Sequence, residues 1–142
     1  MKKLLLIILF SFSCEDINTA LETTLSGTYT LTDYQMYANA DCSGESIIDS
    51  AVAALTLTQL EYKYSFDENS VTIVQITNDV EELNENCDYL IVDDILTPSC
   101  FPVPHTLNSN HTQFFWELGA DDITVDGYDT PISVCYRYIF SK

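Results

Sequence analysis

The chain has 142 residues, about one domain's length, with 46% hydrophobic and 19% charged residues and only four glycines and four prolines, which excludes a disordered tail or low-complexity linker. Twenty-two acidic residues face five basic ones, a formal net charge of −17. Such a surface repels phosphate backbones and anionic lipid headgroups, so neither nucleic acid nor an electrostatically held membrane is an expected partner, while cations and basic partners are attracted.

The first residues read as an export signal over 1–13: Lys2 and Lys3, the apolar run Leu4 to Phe10, then Ser11-Phe12-Ser13 before Cys14. The run is too short to span a bilayer as a mature helix. A cysteine directly after a small residue resembles the lipobox of bacterial lipoproteins, which implies that Cys14 is acylated, becomes the new N-terminus and carries a palmitate-type anchor into the cell envelope. Ser11 and Ser13 also satisfy the small-x-small rule of ordinary secretory cleavage, and both readings cut before Cys14. Cysteine parity favours lipidation: with Cys14 acylated, Cys42, Cys87, Cys100 and Cys135 remain as an even set, the number for two disulfides in an oxidising, exported compartment. Thiolate metal ligation is the rival reading, but no C-x-x-C pair is present. Four cysteines permit three connectivities. A local Cys87–Cys100 bridge would fasten the irregular Thr97 to Asn110 stretch and leave Cys42 to pair with Cys135.

Residues 14–24 form a polar, lipid-anchored tether, and the folded unit runs over 25–142. Within it, β-branched and aromatic runs alternate with Asp, Asn, Ser, Gly and Pro clusters, the punctuation of a β protein. The first strand spans Gly27 to Tyr37. Tyr29 and Leu31 share one phase and Tyr34 and Met36 the other, which predicts a bulge near Thr32 and Asp33. Glu45 to Leu55 predicts a short helix or an irregular crossover. Leu57 to Phe66 and Val71 to Thr77 form a hairpin about the turn Asp67-Glu68-Asn69-Ser70. Leu60, Tyr62, Tyr64 and Phe66 supply an apolar face against Glu61, Lys63 and Ser65. Glu81, Glu82 and Glu85 read as a hydrated loop. Tyr89 to Leu96, Gln113 to Leu118, Ile123 to Val125 and Ile132 to Phe140 continue the strands, with Gly119-Ala120-Asp121-Asp122 as a further turn. The whole predicts an all-β antiparallel meander closing into a barrel of about eight strands, since closure removes both exposed edges.

The segment Leu25-Ser26-Gly27-Thr28-Tyr29-Thr30-Leu31 resembles the opening strand of the lipocalin-like domains of bacterial lipoproteins, where a G-x-W pattern starts the barrel and Tyr29 stands in the place of the tryptophan. The resemblance implies a lipocalin-like barrel closed by a pair between Tyr29 and Arg137 of the last strand. Read from the residues alone, Arg137 either stacks on a tyrosine face or faces solvent, because Tyr136, Tyr138 and Phe140 hold the opposite phase.

Catalytic chemistry is not expected: no nucleophile, base and orienting group can be nominated together, and no cofactor or metal is implied. His105 and His111 lie in or beside the proline- and asparagine-rich loop and read as surface histidines. Asp121, Asp122, Asp126 and Asp129 around Gly127 offer hard oxygen ligands suited to calcium, but without EF-hand spacing, and solvated charge is the preferred reading. The remaining signal is aromatic. Tyr29, Tyr62, Tyr64, Phe66, Phe114, Trp116, Tyr136 and Tyr138 fill the barrel solidly or line a pocket for a small apolar ligand. A filled core is preferred for a chain this short. Two functions follow: a lipid-anchored carrier with a pocket on the order of several hundred Å³, or a ligand-free structural or protein-interaction module of the envelope. A monomer is expected in either case.

Overall fold

Nine elements make up the computed structural model, which describes residues 24–48 and 50–142. The expected signal segment, Cys14 and the tether as far as residue 23 lie outside the described residues. In chain order the elements are β1 (Gly27–Tyr37), α1 (Ser50–Gln59), β2 (Leu60–Phe66), β3 (Ser70–Thr77), β4 (Val80–Val92), β5 (Ile95–Pro98), β6 (His105–Leu107), β7 (Gln113–Ile123) and β8 (Ile132–Ser141). Each strand pairs antiparallel with the next, and β8 returns to β1, so the sheet is the closed eight-stranded antiparallel barrel that the sequence predicts.

The period of two decides which side chains go inside. In β2, Tyr62, Tyr64 and Phe66 are buried while Glu61 and Lys63, joined by an ion pair, stay outside. The expected bulge in β1 is present as a register shift between Leu31 and Asp33. It restores the inward phase, so that Tyr29 and Leu31 before it, and Tyr34 and Met36 after it, all face the interior, the last two opposite Tyr138 and Tyr136 of β8.

Several boundaries differ from expectation, each for a local reason. Thr56 and Thr58 donate to the carbonyls of Val52 and Leu55 at 3.0 and 2.7 Å; α1 therefore takes up Leu57 to Gln59, and the strand starts at Leu60. The Glu81, Glu82 and Glu85 segment is strand, not loop: Asn78 and Asp79, with φ of 50° and 64°, form a two-residue turn that folds β4 onto β3. Asp93 and Asp94, with φ of 51° and 62°, make a second such turn and break the expected Tyr89 to Leu96 strand in two. Gly119 to Asp122 is a bulge within β7, between Ala120 and Ile123, where the sequence suggests a turn. His105 to Leu107, expected as irregular, forms the short strand β6 between β5 and β7.

The barrel's two ends are built differently. At one end Leu25, Tyr29, Phe66, Val71, Ile73, Phe114 and Phe140 are buried in one cluster, and the chain enters there, with the Leu25 amide donating to Tyr89 Oη at 3.0 Å. At the other end the inner-phase residues Met36, Leu118 and Tyr136 are only partly covered, Leu118 being 49% exposed. The two disulfides sit apart, Cys87–Cys100 packed against the buried cluster and Cys42–Cys135 separate from it. Cys42–Cys135 ties the loop after β1 to the outer face of β8, and Cys87–Cys100 ties β4 to the loop between β5 and β6.

Candidate apolar site

The partly filled end holds a cup of about 210 Å³ lined by Leu60, Tyr62, Gln75, Phe101, Trp116, Leu118 and Tyr138. Its floor is the stack of Trp116 on Tyr138, with ring centres 4.1 Å apart and planes 20° from parallel, braced edge-on by Tyr62 and by Phe101 from the loop after β5. Burial holds the Tyr62 and Tyr138 phenols above their ordinary pKa, and Tyr34, which packs on Tyr138 from β1, is raised for the same reason. All three remain neutral at physiological pH, so the cup presents an uncharged wall.

The eight aromatic residues named from the sequence divide between core and cup. Tyr29, Tyr64, Phe66 and Phe114 are packed below it in contact with one another. Tyr62, Trp116 and Tyr138 reach the cup, and Tyr136 stacks on Tyr34 nearer the rim, with centres 6.0 Å apart. The filled core and the pocket are thus both present, one above the other. Leu60, Gln75, Leu118 and Phe101 complete the cup without having been nominated. Leu60 and Leu118 carried a signal, being inner-phase residues at strand ends that the meander brings to one end of the barrel. Phe101 carried none, because it comes from a loop.

Beneath the cup runs a buried polar chain. His105 is fully buried, which corrects its reading as a surface histidine. As the first residue of β6 it pairs with Trp116, and its side chain points inward among Tyr64, Phe101 and Phe114. Its Nδ1 lies 2.5 Å from the Val103 carbonyl and its Nε2 2.9 Å from Tyr64 Oη. A carbonyl only accepts, so these partners assign the proton to Nδ1, and Tyr64 then donates to Nε2. Burial pushes the imidazole down to about 4 against the opposing effect of the Val103 bond, and burial followed by the neighbouring Tyr62 raises the Tyr64 phenol. Trp116 Nε1 is buried beside this chain with no hydrogen-bond partner among the described residues. His111 does lie nearer the surface, with Nε2 3.0 Å from Asp94 Oδ1.

The implied closing pair of Tyr29 and Arg137 is not formed. Tyr29 is an inner residue at the filled end, donating to the His111 carbonyl at 2.5 Å. Arg137 lies across from Gln35, six residues further along β1, and on the outer face. At about 3.3 Å per residue the two are roughly 20 Å apart along the strand and on opposite sides of the sheet. Arg137 is not solvent-facing either. It lies 5.0 Å from the ring centres of both Tyr37 and Phe115, donates to Glu117 at 2.8 and 2.5 Å, to Tyr37 Oη at 2.9 Å and to the Cys42 carbonyl at 3.3 Å. With its donors committed, it clamps the disulfide-bound loop to the barrel wall.

Asp121, Asp122, Asp126 and Asp129 are all exposed and do not converge. Among the described residues the grouping with metal-ligand spacing is Cys42, Glu117 and Cys135, whose two sulfurs are spent in the disulfide. No family model, curated protein or solved structure matches the chain.

Proposed function

We propose that the protein is an exported envelope lipoprotein, anchored through Cys14 and similar to lipocalin-like domains, whose barrel holds a small neutral apolar molecule in the cup. The observation that carries this reading is the cup itself: about 210 Å³ of space walled by uncharged side chains, aromatic and aliphatic apart from Gln75, against roughly 150 Å³ for an apolar cavity that accepts benzene. The guest is about one or two rings in size, because the barrel below is filled. Two disulfides are compatible with an oxidising compartment. Glu15 to Thr24 could reach at most about 33 Å, and the described chain meets the barrel through Leu25 at the filled end, opposite the cup. The ligand-free alternative draws its support from the packed lower half.

Trp116, the single tryptophan, is a built-in reporter at the floor of the cup. Titration with the neutral two-ring probe 1-naphthylamine is expected to quench it saturably, and Leu118→Glu at the rim to weaken that response about tenfold or more, on the order of the cost of placing a charge beside the probe. A non-saturable response would overturn the carrier reading. Intact mass of lipid-extracted protein tests the anchor: acyl chains on Cys14 are expected, and a free thiol there would contradict it.

A further inference from the structure

The barrel wall is not of even height. β4 and β7 run 13 and 11 residues, but β5 and β6 between them only four and three. β5 pairs with Tyr89 to Val92 alone, and β6 with Phe114 to Trp116 alone. Above them, among the described residues, no strand lies against Val80 to Cys87 on the side away from β3, nor against Glu117 to Ile123 on the side away from β8. The result is a notch that opens the cup sideways, floored by the loop that Cys87–Cys100 fastens. The Asp88 carbonyl accepts from the Ser99 amide across the β4–β5 junction. Two and four residues earlier, Asn86 and Asn84 therefore turn their main-chain N–H and C=O groups to the same, unpaired side.

We infer that this edge of β4 is the docking site of an extended basic peptide that adds a strand to the barrel and places an apolar side chain in the cup. The inference rests on the cup reading above and names the class of guest. Charge selects the occupant. Glu85 pairs with the fully buried Ile73, so its side chain takes the inner phase of a barrel strand, yet it is exposed because no neighbour covers it. An added strand would cover it, and a covered carboxylate needs a cation. Glu81, Glu82 and Asp88 flank it, and β4 has no basic residue. A second copy of the chain would bring carboxylates against carboxylates, whereas a lysine or arginine opposite Glu85 with an apolar residue two positions away, on the same face, meets both Glu85 and the cup.

The probe is the blocked peptide Thr-Lys-Thr-Phe-Thr-Lys-Thr, followed by Trp116 fluorescence and by hydrogen exchange at Asn84 and Asn86. The peptide is expected to bind and to protect both amides. An added strand uses the N–H groups of alternate residues only. Of two versions N-methylated in opposite phases, one should therefore bind about tenfold or more weakly, as loss of several main-chain hydrogen bonds implies, and the other like the parent. Glu85→Gln and replacement of the lysines by glutamate should each weaken binding, and Asn84→Pro, which blocks the edge without touching the cup, should abolish protection at Asn86. Equal binding of both N-methylated versions, unchanged binding by Glu85→Gln, or a dimer paired through β4 would overturn the inference. Binding of the naphthylamine without the peptide would overturn it while leaving the cup reading intact; failure of the naphthylamine would remove the cup reading itself.

Discussion

The filled and open halves of the barrel are made by the same strands but held by different forces. Toward the filled end, Tyr29, Tyr64, Phe114 and Phe140 pack ring against ring at 0–1% exposure, and stability there comes from excluded water and dense contact. Toward the open end the inner phase is incomplete and the wall is notched, and that is where the Cys42–Cys135 disulfide and the Arg137 clamp are found. A domain that keeps part of its interior unfilled gives up burial energy. Here the Cys42–Cys135 bond and the Arg137–Glu117 ion pair on the outer surface hold the shape that packing alone would supply below.

The comparison is broken most severely at the Cys42–Cys135 bridge. Its 93-residue separation corresponds to roughly 4.5 kcal/mol of unfolded-state restriction, against about 3 kcal/mol for the 13-residue Cys87–Cys100 loop. The double Cys42→Ala, Cys135→Ala variant should lose about that much in urea unfolding, with hydrogen exchange rising first at Met36 and Tyr136, not at Tyr29. Phe114→Ala, which hollows the filled half, should cost about 3–5 kcal/mol by the same measurement.

Acid sharpens the contrast from within. His105 is neutral in the fold with its pKa pushed down to about 4, below the ordinary 6.5. Its contribution is fully present above pH 6.5. It is lost progressively as pH falls toward 4, because the unfolded chain takes up a proton that the folded chain refuses. The total is about 3 kcal/mol. The urea midpoint should therefore fall between pH 7 and pH 4.5, and His105→Gln should flatten that dependence. The smallest effect belongs to the rim: Leu118→Ala should change stability by less than about 0.5 kcal/mol while weakening naphthylamine binding.

Most of the fold was legible because alternation in β2 and the phase slip in β1 are direct consequences of which side chains can be inside. The unread parts have separate local causes. Val80 to Asp88 is strand without strand composition, since an exposed edge has little core to fill, and its pairing is set by the Asn78-Asp79 turn. His105 carries no apolar pattern of its own; it is buried because Val103 and Tyr64 satisfy both ring nitrogens. The Tyr29 and Arg137 pair failed because β8 alternates without a break: Arg137, three residues from the inward Phe140, takes the outer face, while Tyr29 shares the inward phase of Leu31, which pairs with Phe140. The disulfide connectivity was favoured through the need to fasten the Thr97 to Asn110 stretch. The cup was only half visible, because strand phase shows what faces inward but not how far a barrel is filled.

Xenon under moderate pressure, followed by methyl NMR shifts, tests the division of the barrel most directly, since an apolar void takes up the gas and a packed core does not. Shifts are expected at Leu60 and Leu118 and none at Val71 and Ile73. Shifts spread evenly over these methyl groups, or confined to the filled end, would contradict it.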